Sequence, residues 1–149
     1  MSPFEMYETF RAQLERETGI KAILEPSSIR TDAPLVRISP RKMALTHEVQ
    51  TDDEDGTLVL RCQLSLVARI EGTGAGFKTL LTSSRALLGF FEAPDEPLCD
   101  GSGEPIPGAV FTGRQLSDEG MLVPSEEHER MYEYQDSWAA DIAVPRSIV

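Results

Sequence analysis

The chain has 149 residues, of which 40% are hydrophobic and 26% charged, a size and balance suited to one folded domain rather than a disordered segment or two separate cores. Its 25 Asp and Glu outweigh 14 Lys and Arg, and the resulting net charge of −11 disfavours tight sequence-specific DNA binding and adhesion to anionic lipid, although a negative wall still lets a polyanion slide past. The two cysteines, Cys62 and Cys99, have no CxxC partner and no histidines at zinc spacing. With no charged-then-apolar leader and no apolar run of ~20 residues, reduced thiols and a cytoplasmic, non-membrane protein are expected.

Ser2-Pro3-Phe4-Glu5 is a helix start: Ser at the cap, Pro at the first helical position, and Glu placed to reach back to the cap amide. Phe4, Tyr7, Phe10 and Leu14 follow at helical spacing, and Gly19 is the stop, so a first helix ends near Thr18. Residues 20–24 and 34–39 are short apolar runs bracketed by Pro26, Pro34 and Pro40, which suits strands near a sheet edge. Met43, Leu45, His47 and Val49 then alternate with polar neighbours. Beyond the acidic turn Asp52-Asp53-Glu54-Asp55-Gly56, the series Leu58, Leu60, Cys62, Leu64, Leu66, Ala68 and Ile70 alternates in the same way, predicting a long hairpin with one apolar face.

After the glycine-rich break at 72–76, Phe77, Leu80, Leu81, Ser84, Leu87, Leu88 and Phe91 fit an amphipathic second helix. Its stripe of Phe77, Leu80, Leu81, Leu88 and Phe91 is expected to pack on Leu60, Cys62, Leu64 and Leu66 of the hairpin. Residues 93–124 are rich in Pro and Gly and predict an irregular excursion with one short strand at 109–112. Tyr132, Tyr134, Asp136, Trp138, Ala140, Ile142 and Val144 share one parity, predicting a long closing strand with a bulge near Asp136. The fold class is therefore α+β: a mostly antiparallel sheet with a long β-hairpin, packed by an N-terminal helix and a second amphipathic helix, in a single domain over residues 1–149.

No catalytic or metal-binding constellation emerges. Placing Asp53 and Asp55 at the third and fifth positions of a calcium loop puts Cys62 where a bidentate Glu belongs, so the acidic run reads as a hairpin turn. His47 lies on the apolar parity of a strand, and His128 in Glu126-Glu127-His128-Glu129 does not form HExxH. Asp100-Gly101-Ser102-Gly103 is not a nucleophile elbow, and the glycines at 72–76 lack the Gly-Lys-Ser/Thr ending of a phosphate loop. With 25 acidic residues, neighbouring carboxylates such as Glu126 and Glu127 are unavoidable on a solvated face. No catalysis and no cofactor are expected. Tyr132, Tyr134 and Trp138 are core residues or interface anchors, both roles being common for Tyr and Trp.

The order of elements resembles the tail terminator proteins of long-tailed phages. The residues that carry the resemblance are Pro34 to Ser39 leading into the hairpin 43–70, the helix 77–91 and the closing stretch 132–144, in which Trp138 is followed by alternating small and apolar residues. Most of the chain is covered. The segment 93–124 is longer than the family pattern. The resemblance implies a non-catalytic protein of a phage or prophage, made in the host cytoplasm and carried in the virion tail. It implies a homo-oligomer, a hexameric ring that caps the tail tube protein, stops its polymerisation and offers the surface on which the head-completion protein docks, while DNA passes through without specific binding. A negative lumen and strands with exposed edges would suit such a ring. The assembly candidates are Asp52, Asp53, Glu54 and Asp55 at the hairpin tip, with Tyr132, Tyr134 and Trp138. The alternative is a small ligand-binding domain or enzyme with a pocket between the second helix and the sheet.

Overall fold

The opening segment folds as its local signals dictate. In helix α1 (Pro3–Thr18) the Ser2 hydroxyl accepts the Glu5 amide at 3.2 Å and the Glu5 carboxylate accepts the Ser2 amide at 3.4 Å, a reciprocal capping box. Gly19 ends the helix in the left-handed region at φ 72°, with its N–H on the Glu15 carbonyl. In this computed structural model the described residues are 1–27, 33–46, 56–116, 122–125 and 130–149. The remaining elements are β1 (Lys21–Leu24), β2 (Leu35–Thr46), β3 (Thr57–Glu71), α2 (Gly74–Phe90), β4 (Glu96–Cys99), β5 (Pro105–Gln115), β6 (Val123–Pro124), β7 (Met131–Pro145) and a 3-10 turn at Arg146–Ile148.

The strands form one sheet in the order β1-β2-β3-β7-β5-β4, with β6 beside the start of β7. Every pairing is antiparallel except that of β1 with β2. With two helices, this is the α+β class the sequence predicts. The spine is the ladder between β3 and β7, which runs in unbroken register from Thr57 opposite Pro145 to Glu71 opposite Met131. The bulge expected near Asp136 is therefore absent; Asp136 simply faces Leu66.

The runs at 34–39 and 43–49, expected as separate strands, belong to one strand, β2, up to Thr46; residues 47–49 lie outside the described residues. Register shifts between Pro40, opposite Cys62, and Met43, opposite Leu60. That bulge inserts one residue and reverses the parity of β2, so Val36 and Ile38 before it and Met43 and Leu45 after it all lie on the face shared with Leu60 and Leu64.

Much of the excursion expected at 93–124 is also strand. Its prolines and glycines sit where a sheet tolerates them. Pro97 lies on β4, an edge strand, and Pro105 and Pro107 precede Val110, where pairing of β5 with β7 begins. Gly113 is required by packing: a Cβ there would lie 2.5 Å from the Phe91 ring.

The core lies between the helices and one face of the sheet. Phe10 of α1, Phe90 and Phe91 at the end of α2, Phe111 of β5 and Trp138 of β7 form a continuous aromatic group, with centroids 5.3 Å apart for Phe10 and Phe111, 4.7 Å for Phe90 and Phe111, and 5.1 Å for Phe91 and Trp138. A second, smaller cluster of Ala68, Ile70 and Leu80 lies toward the start of α2, with Leu122, Tyr132 and Tyr134 partly buried against it.

Helix α1 also closes the sheet. Two residues along a helix are about 200° apart, so Gln13 points away from Arg11 and Glu15. On one side Arg11 donates to the Ala22 carbonyl at 3.2 Å and Glu15 accepts the Ala22 amide at 3.2 Å. On the other side Gln13 donates to the Pro97 carbonyl at 3.1 Å and accepts the Cys99 amide at 2.8 Å. Ala22 is in β1 and Pro97 and Cys99 are in β4, the two edges of the sheet. The sheet thus curls until both edges meet one helix, whose side chains occupy backbone groups that another strand would need. The exposed strand edges expected from the sequence are, at these positions, already covered.

Candidate functional site

The assembly candidates separate in the structure. Asp52, Asp53, Glu54 and Asp55 lie outside the described residues, as do His47, Glu126, Glu127 and His128. Trp138 is a core residue, only 3% exposed, stacked on Phe91 and donating from Nε1 to the Asp136 carboxylate at 3.0 Å. Its indole N–H has a buried acceptor, which is how a Trp meets the cost of leaving water. That burial places Trp138 in the subunit's own core. Tyr132 and Tyr134 are half-buried at the far end of the same strand.

Two groups with reactive chemistry, Cys62 and Tyr7, are buried. Burial pushes the Cys62 thiol up to about 12, leaving essentially no thiolate at neutral pH. Tyr7, also raised to about 12 by burial, donates its phenol proton to the Arg61 carbonyl at 2.7 Å and ties α1 to β3. Among the described residues no group of three or more His, Cys, Asp and Glu is placed to hold a metal ion, and no helix is long and apolar enough to cross a membrane. A cleft of about 400 Å³ opens at the start of α2, lined by Glu71, Gly72, Thr73, Arg130, Met131 and Tyr132. Where α2 faces the sheet, Leu80, Leu87 and Phe90 are buried.

The sheet face turned away from the helices is polar along its spine. Arg61 lies 3.7 Å from Asp141, Arg69 lies 3.0 Å from Glu133, and the hydroxyls of Ser65 and Ser137 meet at 3.4 Å. Of these cross-strand pairs Arg61 with Asp141 is solvated, Arg69 is partly covered and Ser137 is buried.

Exposed large apolar side chains are Phe4 of α1, Met43 and Leu45 of β2, Val123 of β6, the N-terminal Met1 and, as a group of three on one element, Phe77, Leu81 and Leu88 of α2. The helix starts at Gly74, three residues earlier than expected, because the Thr73 hydroxyl accepts the Gly76 amide at 3.2 Å. Its buried side chains are Leu80, Leu87 and Phe90. Phe77, Leu81 and Leu88, expected on the sheet, are 38%, 67% and 44% exposed. Spacings of four and seven residues put these three in one line along the helix, roughly a quarter turn from the buried line. The only charges on α2 are Lys78 and Arg85, both exposed, so the stripe has cationic flanks on a chain of net charge −11. Neither cation has an ion-pair partner among the described residues. Sequence reasoning found the apolar residues and missed their direction. The cationic flank was legible as a helix containing no acid in so acidic a chain.

No family model matches the chain, and no curated protein matches it. Two solved structures are distantly similar in shape. One is 12% identical, with 91% of this chain and 94% of that one covered at a TM-score of 0.45. The other, described as the virion of a native gene transfer agent (GTA) particle, is 13% identical, with 93% and 92% covered at a TM-score of 0.35.

Proposed function

We propose that this chain is a structural protein of a phage or prophage, of the tail terminator type. It forms a closed ring of identical subunits that caps the tail tube, stops tube growth and presents the surface on which the head docks, without catalysis or cofactor. Six subunits make the ring, as the resemblance in element order implies.

The observation that carries this reading is the apolar stripe of α2, in which Phe77, Leu81 and Leu88 are left in water in one line along a single helix. At Ala22 of β1 and at Pro97 and Cys99 of β4, α1 occupies the sheet edge, so at those positions association through side-chain surfaces is favoured over adding strands. The charge of −11 suits a passage for DNA, which a negative wall does not retain. Sedimentation velocity over a wide concentration range, with negative-stain images of the most concentrated sample, tests the reading. Rings of one size are expected. A monomer at every concentration would contradict it.

A further inference from the structure

We propose that the outward stripe of α2 docks on an acidic rim of a second copy of this chain, the rim formed by residues 92–104. The inference rests on the ring reading and names the two surfaces that meet in it.

The rim follows directly from α2 and includes β4. Between positions 92 and 104 the sequence carries Glu92, Asp95, Glu96, Asp100 and Glu104 and no Lys or Arg. Its backbone is well fixed: Gln13 holds Pro97 and Cys99, and one Asp100 carboxylate oxygen accepts the Ser102 amide at 2.9 Å, the Ser102 hydroxyl at 2.7 Å and the Glu104 amide at 3.1 Å. Those hydrogen bonds, the Ser102 side chain foremost, hold the Asp100 carboxyl below its ordinary range, so it is charged at neutral pH. One cation, Arg16, reaches this rim and donates to the Asp100 backbone carbonyl at 3.4 Å.

Three observations select a second copy as the occupant. A surface both apolar and cationic fits an acidic partner, and this chain supplies one in the rim. Lys78 and Glu92 are separated by about 20 Å along the helix axis at 1.5 Å per residue, so the start of the stripe cannot reach the rim of its own chain. Stripe and rim are different surfaces, so their contact is head-to-tail, the type that closes into a ring when the rotation per subunit allows. Strand addition is not a competing route at the two edges α1 occupies.

The test uses two charge-reversed variants of the full chain, Lys78→Glu/Arg85→Glu and Glu92→Lys/Glu96→Lys/Glu104→Lys, with thermal melts to confirm that both fold. Asp95 is left unchanged because it stands at φ 57°, and Asp100 because it holds the turn. Each variant alone is expected to associate at least ~10-fold more weakly than the wild type by sedimentation. An equimolar mixture is expected to recover the oligomer, because each reversed surface then meets its complement. If both variants assemble as the wild type does, the contact is overturned and the ring stands. If both fail and the mixture fails too, the surfaces do not face each other and the pairing is overturned. A wild type that stays monomeric at every concentration overturns the ring and the contact together.

Discussion

The two halves of α2 carry three large apolar side chains each: Phe77, Leu80 and Leu81 in the first, Leu87, Leu88 and Phe90 in the second. In the second half Leu87 and Phe90 are buried, and Phe91 beyond the helix joins them against Phe10, Phe111 and Trp138. In the first half only Leu80 is buried, against the small cluster with Ala68 and Ile70, while Leu81 is 67% exposed. A fully buried Leu contributes roughly 1.5–3 kcal/mol. The monomer collects that contribution mostly at one end of the helix. Similar apolar content in sequence thus serves the subunit's own core at one end and, on our reading, a neighbour at the other.

The contrast breaks most visibly in the core. Leu64 is fully buried beneath the helices, so Leu64→Asp places an unpaired carboxylate there at a cost of several kcal/mol, and a cooperative melt is expected to disappear. A normal melting curve would show that this face of β3 is not the core. Gly113→Ala is next. Its methyl would press on the Phe91 ring, and overpacking of this kind costs about 1–3 kcal/mol, read as a lower denaturation midpoint with an unchanged slope.

A smaller effect belongs to the periphery. Arg37, 2.7 Å from Glu25, holds the Glu25 carboxyl below its ordinary range by its hydrogen bond. The folded value is depressed, so the stabilisation is present above the unfolded pKa of ~4.3 and is lost as pH falls through the folded value. Glu25→Gln should therefore flatten the acid limb of the stability profile, by under ~1 kcal/mol for a partly exposed pair. Leu81→Glu should change stability least, within about 0.5 kcal/mol, since the position is exposed and Glu is a good helix former. A large loss there would mean that the first half of α2 belongs to the core after all.

The elements set by short-range chemistry were legible from the sequence. The capping box at Ser2 and the stop at Gly19 bound α1 correctly, and alternation predicts the long β3. Elements whose form depends on a distant partner were not. β4 and β5 carry Pro97, Pro105, Pro107 and Gly113, which argue against strands locally and are accommodated only because of where each lies in the sheet. On α2 two apolar lines lie about a quarter turn apart, and periodicity alone does not say which meets the sheet. That choice is made by Phe90 and Phe91 docking on Phe111 and Trp138. Gln13 gave a sign that could have been used. It is a polar residue within the apolar arc of Met6, Phe10 and Leu14, the position expected of a side chain that must satisfy buried backbone, and it does so at the edge of β4.

The central claim is that α2 is shared between a subunit's own core and its neighbour. The most direct test is sedimentation velocity of the wild type beside Leu81→Glu, each over the same concentration series, with melting temperatures taken from the same preparations. The wild type is predicted to form a closed oligomer. Leu81→Glu is predicted to remain a monomer with a wild-type melting temperature, since it replaces an apolar contact with an anion facing the acidic rim. Assembly of Leu81→Glu to the same species at the same concentrations would contradict the account.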